Sequence, residues 1–261
     1  MSRVYTTDAV VLRRGPFGEH GVLLTLFTPD QGKVGAIAKG VHRPASKLSG
    51  HLEPLLHVRL LLARGRNLDI VTQAQIIHPF ARLREDLYRT AAAWYAVELI
   101  DHLSEDHQEN RSLYDLLLGL LGRLDGDAPP DVLLRFFDMR LLAFLGYRPA
   151  LWRCAQCGSS SEAASPLFSP IGGGLHCGEC APGAPDIVRL SREALNLLRL
   201  FQVGNLSQWG AGAPQPAMQE ATTVLRSAIG ALDDRGSRSL PLLERVRPGN
   251  LYGRPASQPA G

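Results

Sequence analysis

The sequence predicts a multidomain α+β protein with a small N-terminal β-barrel, a helical domain and a knuckle built on four cysteines. Three observations support this fold class. Short apolar segments rich in strand formers fill residues 4–77, helical periodicity begins after residue 80, and two Cys-x-x-Cys pairs interrupt the helical part. At 261 residues and 45% hydrophobic residues, the chain is long enough for each domain to bury a core.

The first domain is predicted from apolar segments separated by turn residues. Pro29-Asp30-Gln31-Gly32 has residue types suited to a turn, and Lys33–Lys39 follows as the second arm of a hairpin. Five short strands favour a closed barrel such as the OB-fold, because closure leaves no exposed strand edge. An SH3-like barrel would give a similar pattern. The expected strand segments are Ala9–Leu12, Val22–Phe27, Val34–Ala38, Leu52–Leu62 and Leu68–Ile77.

The second domain is predicted from apolar residues that recur every three or four positions. Pro130 stands where a first-turn proline is tolerated, Gly146 where a left-handed residue ends a helix, and Ser112 and Ser191 where N-caps are expected. The expected helices are Ala91–Leu103, Leu113–Leu124, Asp131–Leu145, Ser191–Gln202 and Ala217–Leu232. Acidic residues at helical spacing are interpreted as a solvated helix face; they are Glu98, Asp101, Glu105, Asp106 and Glu109.

The strongest local signal is a pair of Cys-x-x-Cys motifs, Cys154/Cys157 and Cys177/Cys180, with nineteen residues between them. This spacing is typical of a zinc site, and four thiolates complete a tetrahedral shell with no open position. We therefore predict one structural zinc ion. Four unligated cysteines and a redox-active pair are the alternatives. His176 could replace a ligand, but four thiols make it a bystander in this interpretation.

Charge is distributed unevenly along the chain. Residues 1–80 carry ten Lys/Arg against five Asp/Glu, whereas residues 81–150 carry eight against twelve. A basic barrel beside an acidic helical domain indicates a polyanion site at the N-terminal end, although surface charge that merely drifts along the chain would look the same.

Several classes of protein find no support in the sequence. It contains no P-loop, no G-x-S-x-G and no H-E-x-x-H motif, so we predict a protein that is not an enzyme. No secretory signal or apolar stretch of membrane-spanning length is evident. Paired cysteines without a signal fit metal binding in a reducing compartment. We expect a cytoplasmic protein with no membrane contact.

Several motifs stand in a set order along the two domains. Those of the first domain are Ala9–Leu12, Gly18-Glu19, Leu24–Thr28, Gly32, Ala38-Lys39-Gly40 and Leu52-Glu53-Pro54, and those of the second are Tyr95–Leu99 and Arg140–Pro149, which runs directly toward Cys154. In this order and spacing, they resemble the motifs of the RecO recombination mediators of bacteria. There are two departures: His42 and Ala45 stand where the family often has further basic residues, and Asp138 stands where Glu is usual. For a member of this family we expect association with the nucleoid.

The resemblance implies an OB-fold, a helical domain and a zinc knuckle. It also implies binding of single- and double-stranded DNA, strand annealing, and help in loading recombinase onto DNA coated by single-strand-binding protein. The implied partners are RecR and the C-terminal tail of single-strand-binding protein. The predicted domains are 1–79 for the barrel, 80–150 with 187–247 for the helical domain, 151–186 for the inserted knuckle, and 248–261 for a disordered tail.

Candidate binding residues follow from the basic excess and from this resemblance. Phe17 is the expected exposed aromatic residue of the barrel, with half-buried packing as the alternative. The predicted DNA-binding cations are Arg13, Arg14, Lys33, Lys39, Arg43, Lys47, Arg64 and Arg66. A partner's acidic tail with an apolar end needs an apolar groove with a basic rim. Arg135, Arg140 and Arg148 are the candidates for that rim, unless they only solvate the helical bundle.

Two other functions remain open on the residues alone. One is a zinc-ribbon adaptor that binds protein or RNA in transcription or translation, and the other is an unrecognised metalloenzyme. Salt-dependent binding to single-stranded DNA separates the mediator from both, because neutralised phosphates release counterions. An open metal coordination site would favour the enzyme, and four thiols argue against it.

Overall fold

The N-terminal domain is a closed barrel of five strands, seen in a computed structural model that describes residues 3–41, 48, 50–160, 165–204 and 214–248. The strand order is β1-β2-β3-β5-β4, and β4 closes on β1. Neighbours are antiparallel except β3 and β5, which are parallel. This arrangement is OB-like, as predicted. The strands are β1 Val4–Phe17, β2 Gly21–Thr28, β3 Gly32–Ala38, β4 His57–Ala63 and β5 Asp69–His78.

The long first strand closes the barrel. Its first half pairs with β4 and its second half with β2, and a register shift between Val11 and Arg13 separates the two ladders. Such a bulge bends a strand and increases its twist. Alternate side chains therefore point inward from a curved sheet. The barrel interior contains Ala9, Val11, Val22, Leu24, Leu26, Ala36, Val58, Leu60, Leu62 and Val71, among others.

Seven helices lie in the described part of the second domain, and the second and third of them pack against the outside of the barrel. Val10, Leu12, Phe27 and Leu55 of the barrel belong to the same buried cluster as the helices. Tyr114 packs on Phe27 with ring centroids 6.2 Å apart. The two domains thus share a core. The helices are α1 Ala81–Glu85, α2 Leu87–Leu103, α3 Arg111–Leu124, α4 Pro130–Phe144, α5 Arg192–Val203, α6 Gln215–Gly230 and α7 Leu240–Val246.

Some local predictions are confirmed and others are corrected. Gly146 has a φ of 88° after α4, and Ser191 caps α5 by accepting a hydrogen bond from the Ala194 amide. The N-cap of α3 is Asn110 rather than Ser112, since the Asn110 side chain accepts from the Leu113 amide at 3.0 Å. The segment Leu52–Leu62 is not one strand. Leu55 has a φ of 67°, and the strand starts only at His57.

The acidic residues that follow Glu98 do not form one solvated helix face. Helix α2 ends at Leu103, so Glu105, Asp106 and Glu109 lie beyond it. Asp101 is buried and faces Arg13 and Lys33 of the barrel. Glu98 binds the chain that enters α7. The prediction from helical spacing was therefore wrong. Glu98 and Asp101 make tertiary contacts, and Glu105, Asp106 and Glu109 lie beyond the helix.

The knuckle is a small sheet inserted between α4 and α5. It comprises β6 Leu167–Ser169, β7 Gly174–His176 and β8 Val188–Arg189, in the order β7-β6-β8. The Leu175 amide donates to the Ala150 carbonyl, and Gly174 lies so close to Ala150 that an added Cβ would overlap it. This contact holds the knuckle against the chain leaving α4. No helix in the described ranges is long and apolar enough to cross a membrane.

Candidate metal centre and nucleic-acid-binding surface

The knuckle brings all four predicted cysteines together. Their sulfur atoms lie within 4.8 Å of one another, and the Cys157 and Cys177 sulfurs are 3.7 Å apart. Four sulfurs around a tetrahedral zinc at about 2.3 Å would be separated by about 3.8 Å. Cys154 is buried, while Cys157 is exposed. The arrangement is therefore compatible with one metal ion close to the surface.

The surroundings of Cys154 and Cys180 shift the pKa values of these two thiols in opposite directions. The Cys157 backbone amide lowers the pKa of the Cys154 thiol to about 6. The neighbouring Cys177 side chain raises the pKa of Cys180 to about 12. Four thiolates at this separation repel each other unless a cation lies between them, and a coordinating metal deprotonates thiols outright. The donor set is soft and four-coordinate, which suits zinc.

Backbone turns position the two cysteine pairs. The Gly158 amide donates to the Cys154 carbonyl, and the Ala181 amide donates to the Cys177 carbonyl, each at 2.9 Å. Gly158 has a φ of 74°, which glycine adopts at low cost. His176 lies on β7 with its Nδ1 atom 3.1 Å from the Gly174 carbonyl. It is outside the four-cysteine group, as the interpretation of this histidine as a bystander anticipated.

Three of the predicted DNA-binding cations are exposed on the barrel. Lys39 directly follows β3, and Arg64 and Arg66 lie in the loop between β4 and β5. The Arg64 guanidinium stacks on the Tyr5 ring at 4.5 Å. None of the three forms an ion pair with any residue that the structure describes. Their charge is therefore available to a polyanion.

Three other predicted cations have partners within the protein. Arg13 is 65% exposed and forms an ion pair with Asp101 at 2.9 Å. Arg14 pairs with Glu53 at 2.7 Å. Lys33 is only 9% exposed, and its Nζ atom donates to the backbone carbonyls of Asp101 and Ser104. This corrects the prediction for Lys33, whose ammonium is enclosed by the end of α2.

The remaining residues of the predicted DNA surface are placed only in part. Arg43 and Lys47 lie outside the described residues, as do His42 and Ala45. Phe17 ends β1 and is 41% exposed, next to the loop between β1 and β2. Leu23, on the neighbouring strand β2, is also exposed. An aromatic and an aliphatic side chain thus accompany the cations on the barrel surface.

The three arginines predicted to contact a partner have different surroundings. Arg135 is 2% exposed and faces Asp138 at 3.0 Å inside the helical domain, so it cannot line a surface groove. This prediction was wrong because helical spacing did not show that both charges point into the core. Arg140 donates to the Gln202 carbonyl at 2.9 Å and lies over the Phe144 ring. Arg148 is exposed.

A partly apolar cleft with charges of both signs on its rim exists elsewhere, where the barrel meets the helices. Leu12, Trp94, Val97 and Leu242 line a cleft of about 660 Å³. Its cations are Arg13, Arg235 and Arg238, and its carboxylates are Asp101, which pairs with Arg13, and Glu98, which accepts from the Arg238 amide. No local pattern could have revealed this cleft, because its walls come from β1, from α2 and from the α6–α7 region. Only folding brings these three parts of the chain together.

Two protein-family models match this chain, one over the barrel and one over the helical part. Residues 1–80 match the family model described as Recombination protein O N terminal, and residues 84–240 match that described as Recombination protein O C terminal. The two matches adjoin at the end of β5. The second one includes all four cysteines.

Curated relatives are similar over most of the chain. The DNA repair protein RecO of Roseiflexus sp. is 41% identical over 246 residues, which cover 94% of this chain and 87% of the relative. The protein of the same name from Cutibacterium acnes is 36% identical over 250 residues, covering 92% and 99%. That from Dehalococcoides mccartyi is 39% identical over 206 residues, covering 78% and 80%.

Proposed function

Because the chain belongs to the RecO family of DNA repair proteins, we propose that it is a non-catalytic recombination mediator that binds single- and double-stranded DNA through its barrel. One observation carries the proposal. Lys39, Arg64 and Arg66 are exposed cations without ion-pair partners among the described residues, and they flank the parallel pair β3 and β5.

The positions of Arg64 and Arg66 support the proposal by comparison with the way in which OB-folds bind strands. Such barrels use the face of strands 2 and 3 together with the loops after strands 1 and 4. Here Leu23 is exposed on β2, Phe17 borders the loop after β1, and Arg64 and Arg66 lie in the loop after β4. Cations neutralise phosphates along such a groove, while an aromatic ring stacks on a base. Recognition of this kind is independent of sequence, which suits strand annealing.

We further propose that the metal is one structural zinc ion. Four thiolates leave no open coordination position, so the ion holds the knuckle together and does not activate water. The small sheet β6–β8 has too few residues for a core of its own. The cofactor thus supports the fold, and the DNA-binding chemistry is that of side chains on the barrel.

For the partner interaction, the cleft replaces the surface around Arg135 as the proposed site. An acidic tail with an apolar end, such as that of single-strand-binding protein, would place its end against Trp94 and Leu242. Its carboxylates would face Arg235 and Arg238, which are exposed. Loading of recombinase with RecR belongs to the same proposal, and membership of the RecO family supports it.

The DNA proposal is tested by a salt series with fluorescent single-stranded DNA. Simultaneous Lys39→Glu, Arg64→Glu and Arg66→Glu substitution should weaken binding at least tenfold at moderate salt and reduce the salt slope by about three, one per lost phosphate contact. A control reverses three exposed arginines of the helical domain, giving the same change in net charge; they are Arg82, Arg123 and Arg245. Equal binding by the folded barrel variant and the parent would contradict the proposed surface. Binding to RNA but not DNA would favour an adaptor function instead.

The tail proposal is tested by titration with an acidic peptide that ends in apolar residues. Arg235→Glu with Arg238→Glu should abolish the signal, whereas Arg148→Glu should leave it unchanged. The reverse result would return the site to the surface near Arg148, as the sequence had suggested.

A further inference from the structure

An exposed tryptophan lies beside the metal centre, on the side of the knuckle that packs against α5. Trp152 precedes the first metal-site cysteine by two residues and is 55% exposed. The Arg199 guanidinium lies over its ring, 4.3 Å from the centroid. The Arg199 Nε atom also donates to the Leu151 carbonyl at 2.9 Å, which fixes the guanidinium against this segment. One face of the indole is therefore covered and the side chain still exposes a large surface.

Further exposed cations lie next to this tryptophan in the chain or on the helix that contacts it. Arg153 is its neighbour in the chain and is exposed. Arg192 is exposed on α5 and precedes Arg199 by seven residues, which places both on one helix face about 10.5 Å apart along the axis. In the described part of the chain, none of these three arginines forms an ion pair. The knuckle platform is defined here as Trp152, Arg153, Arg192 and Arg199.

We propose that the knuckle platform is a second contact for single-stranded DNA, on which a base stacks against Trp152 while phosphates approach the arginines. The inference rests on the proposed function. It extends that function to a surface outside the OB-like barrel. Aromatic rings with interleaved cations are the usual means of holding single strands without regard to sequence.

Charge decides between a nucleic acid and a protein at this surface. Leu200 and Val203 are exposed on α5 and would suit an apolar protein partner. The unpaired positive charges, however, would have to be buried against them, at a cost that only an anionic ligand offsets. A polyanion with flat bases satisfies the ring and the arginines together. The DNA strand is therefore the occupant that the chemistry favours.

The first experiment uses Trp152 as its own reporter. The chain has three tryptophans, so Trp94→Phe with Trp209→Phe leaves Trp152 as the sole emitter. Titration with an oligothymidine should quench its fluorescence, with the same midpoint as the binding curve obtained from labelled DNA. A base stacked on the ring quenches tryptophan emission in this way. Normal binding without any change in Trp152 emission would overturn the proposal.

The second experiment compares matched variants of the metal-loaded full chain. Trp152→Ala should weaken binding of an oligothymidine about tenfold, Trp152→Phe should restore most of it, and Arg153→Glu with Arg192→Glu should reduce the salt slope by about two. Leu200→Ser with Val203→Ser is the control and should bind like the parent. Unchanged metal content and melting temperature show that each variant is folded.

The outcomes separate this inference from the proposed function. If the Trp152 and arginine variants bind like the parent while the barrel variant fails, the platform is wrong and the barrel proposal stands. If the Leu200 and Val203 control loses as much affinity as Trp152→Ala, the face is an apolar support and stacking is refuted. If the parent protein binds no single-stranded DNA at all, the proposed function fails and takes this inference with it.

Discussion

Two lysines of the barrel illustrate how the position of a charged residue determines its role. Lys33 lies within β3 and points at the end of α2, where it donates to two carbonyls and lies 3.3 Å from Asp106. Lys39 follows the same strand and is exposed. An enclosed ammonium that satisfies carbonyl groups stabilises the fold, whereas an exposed one contributes little to stability and is free to bind.

We therefore predict opposite phenotypes for the two substitutions. Lys33→Gln should lower the free energy of unfolding by about 2 kcal/mol, because it removes charged hydrogen bonds at the domain boundary. It should affect DNA affinity only slightly. Lys39→Gln should leave unfolding unchanged and weaken DNA binding. Urea unfolding and a DNA titration measure both effects, and equal stability of the two variants would contradict the assignment.

The cysteines allow a second prediction at the scale of single residues. Cys154→Ser removes the buried sulfur of the group, so the knuckle should lose its metal and the protein should lose several kcal/mol of stability. Metal analysis and thermal melting report these changes. Ser159→Ala is a suitable control, since the Ser159 hydroxyl lies 3.1 Å from the Cys157 sulfur but is not among the four thiol ligands. A stable, folded Cys154→Ser variant would argue against a structural metal.

At the scale of elements, the last helix depends on a carboxylate from α2. The Glu98 side chain accepts hydrogen bonds from the Arg238 amide at 2.8 Å, from the Ser239 amide at 3.0 Å and from the Ser237 hydroxyl at 2.6 Å. It therefore satisfies donors at the start of α7, which has no side-chain cap of its own. A negative charge is also favourable at that end of a helix.

Glu98→Gln should loosen α7 in a pH-dependent manner. Burial acts to raise the pKa of Glu98, but hydrogen bonds from Ser237 and Ser239 outweigh it and lower the pKa below its usual value. A lowered folded-state pKa stabilises the protein above the unfolded value of about 4.3, and this contribution disappears as the pH falls through the folded value. The parent should exceed Glu98→Gln by about 1 kcal/mol near neutral pH, with the gap closing in acid.

Urea unfolding of the parent and of Glu98→Gln, at neutral and at acidic pH, measures this difference in stability. Glu105→Gln is the matched control, since Glu105 is an exposed carboxylate beyond the end of α2. A stability difference that stays constant down to low pH would mean that the carboxylate charge is not what holds α7.

At the scale of the whole molecule, barrel and helices share one buried core. Val10, Leu12 and Phe27 point out of the barrel into the helical core, and the ion pair of Arg13 with Asp101 crosses the same boundary. A barrel separated from the helices would expose these apolar side chains to water. At about 25 cal/mol per Å² of apolar surface, this exposure is strongly unfavourable.

We accordingly expect one unfolding transition for the metal-loaded chain. Trp94 fluorescence, which reports on the boundary, and far-ultraviolet circular dichroism should change with the same midpoint in urea. A fragment ending at residue 79 should be poorly folded alone. Two separate transitions, or a stable isolated barrel, would show that the shared core contributes little.

Local features of this protein were determined by the sequence itself. Two Cys-x-x-Cys pairs predicted the sulfur group, alternating apolar residues predicted the OB-like barrel, and Gly146 and Ser191 marked helix ends where the structure has them. These features depend on residues close together in the chain, whose spacing sets their geometry directly. Helix starts with weaker signals were displaced: α3 is capped by Asn110 rather than Ser112, and α2 begins at Leu87 rather than at Ala91.

Only the tertiary structure decided what the charged residues do. Lys33 meets a carbonyl 68 positions away, and Glu98 meets Ser239 across 141 positions. The cleft likewise joins Leu12 to Leu242. Charge and hydropathy patterns identify a basic barrel or an acidic helix, but the partner of a charge such as Lys33 or Glu98 comes from an element far along the chain. Even the local pair Arg135 and Asp138 is buried only by the packing of other elements around it. Burial and pairing separate a structural ion pair from a free cation, and both are properties of the folded surface.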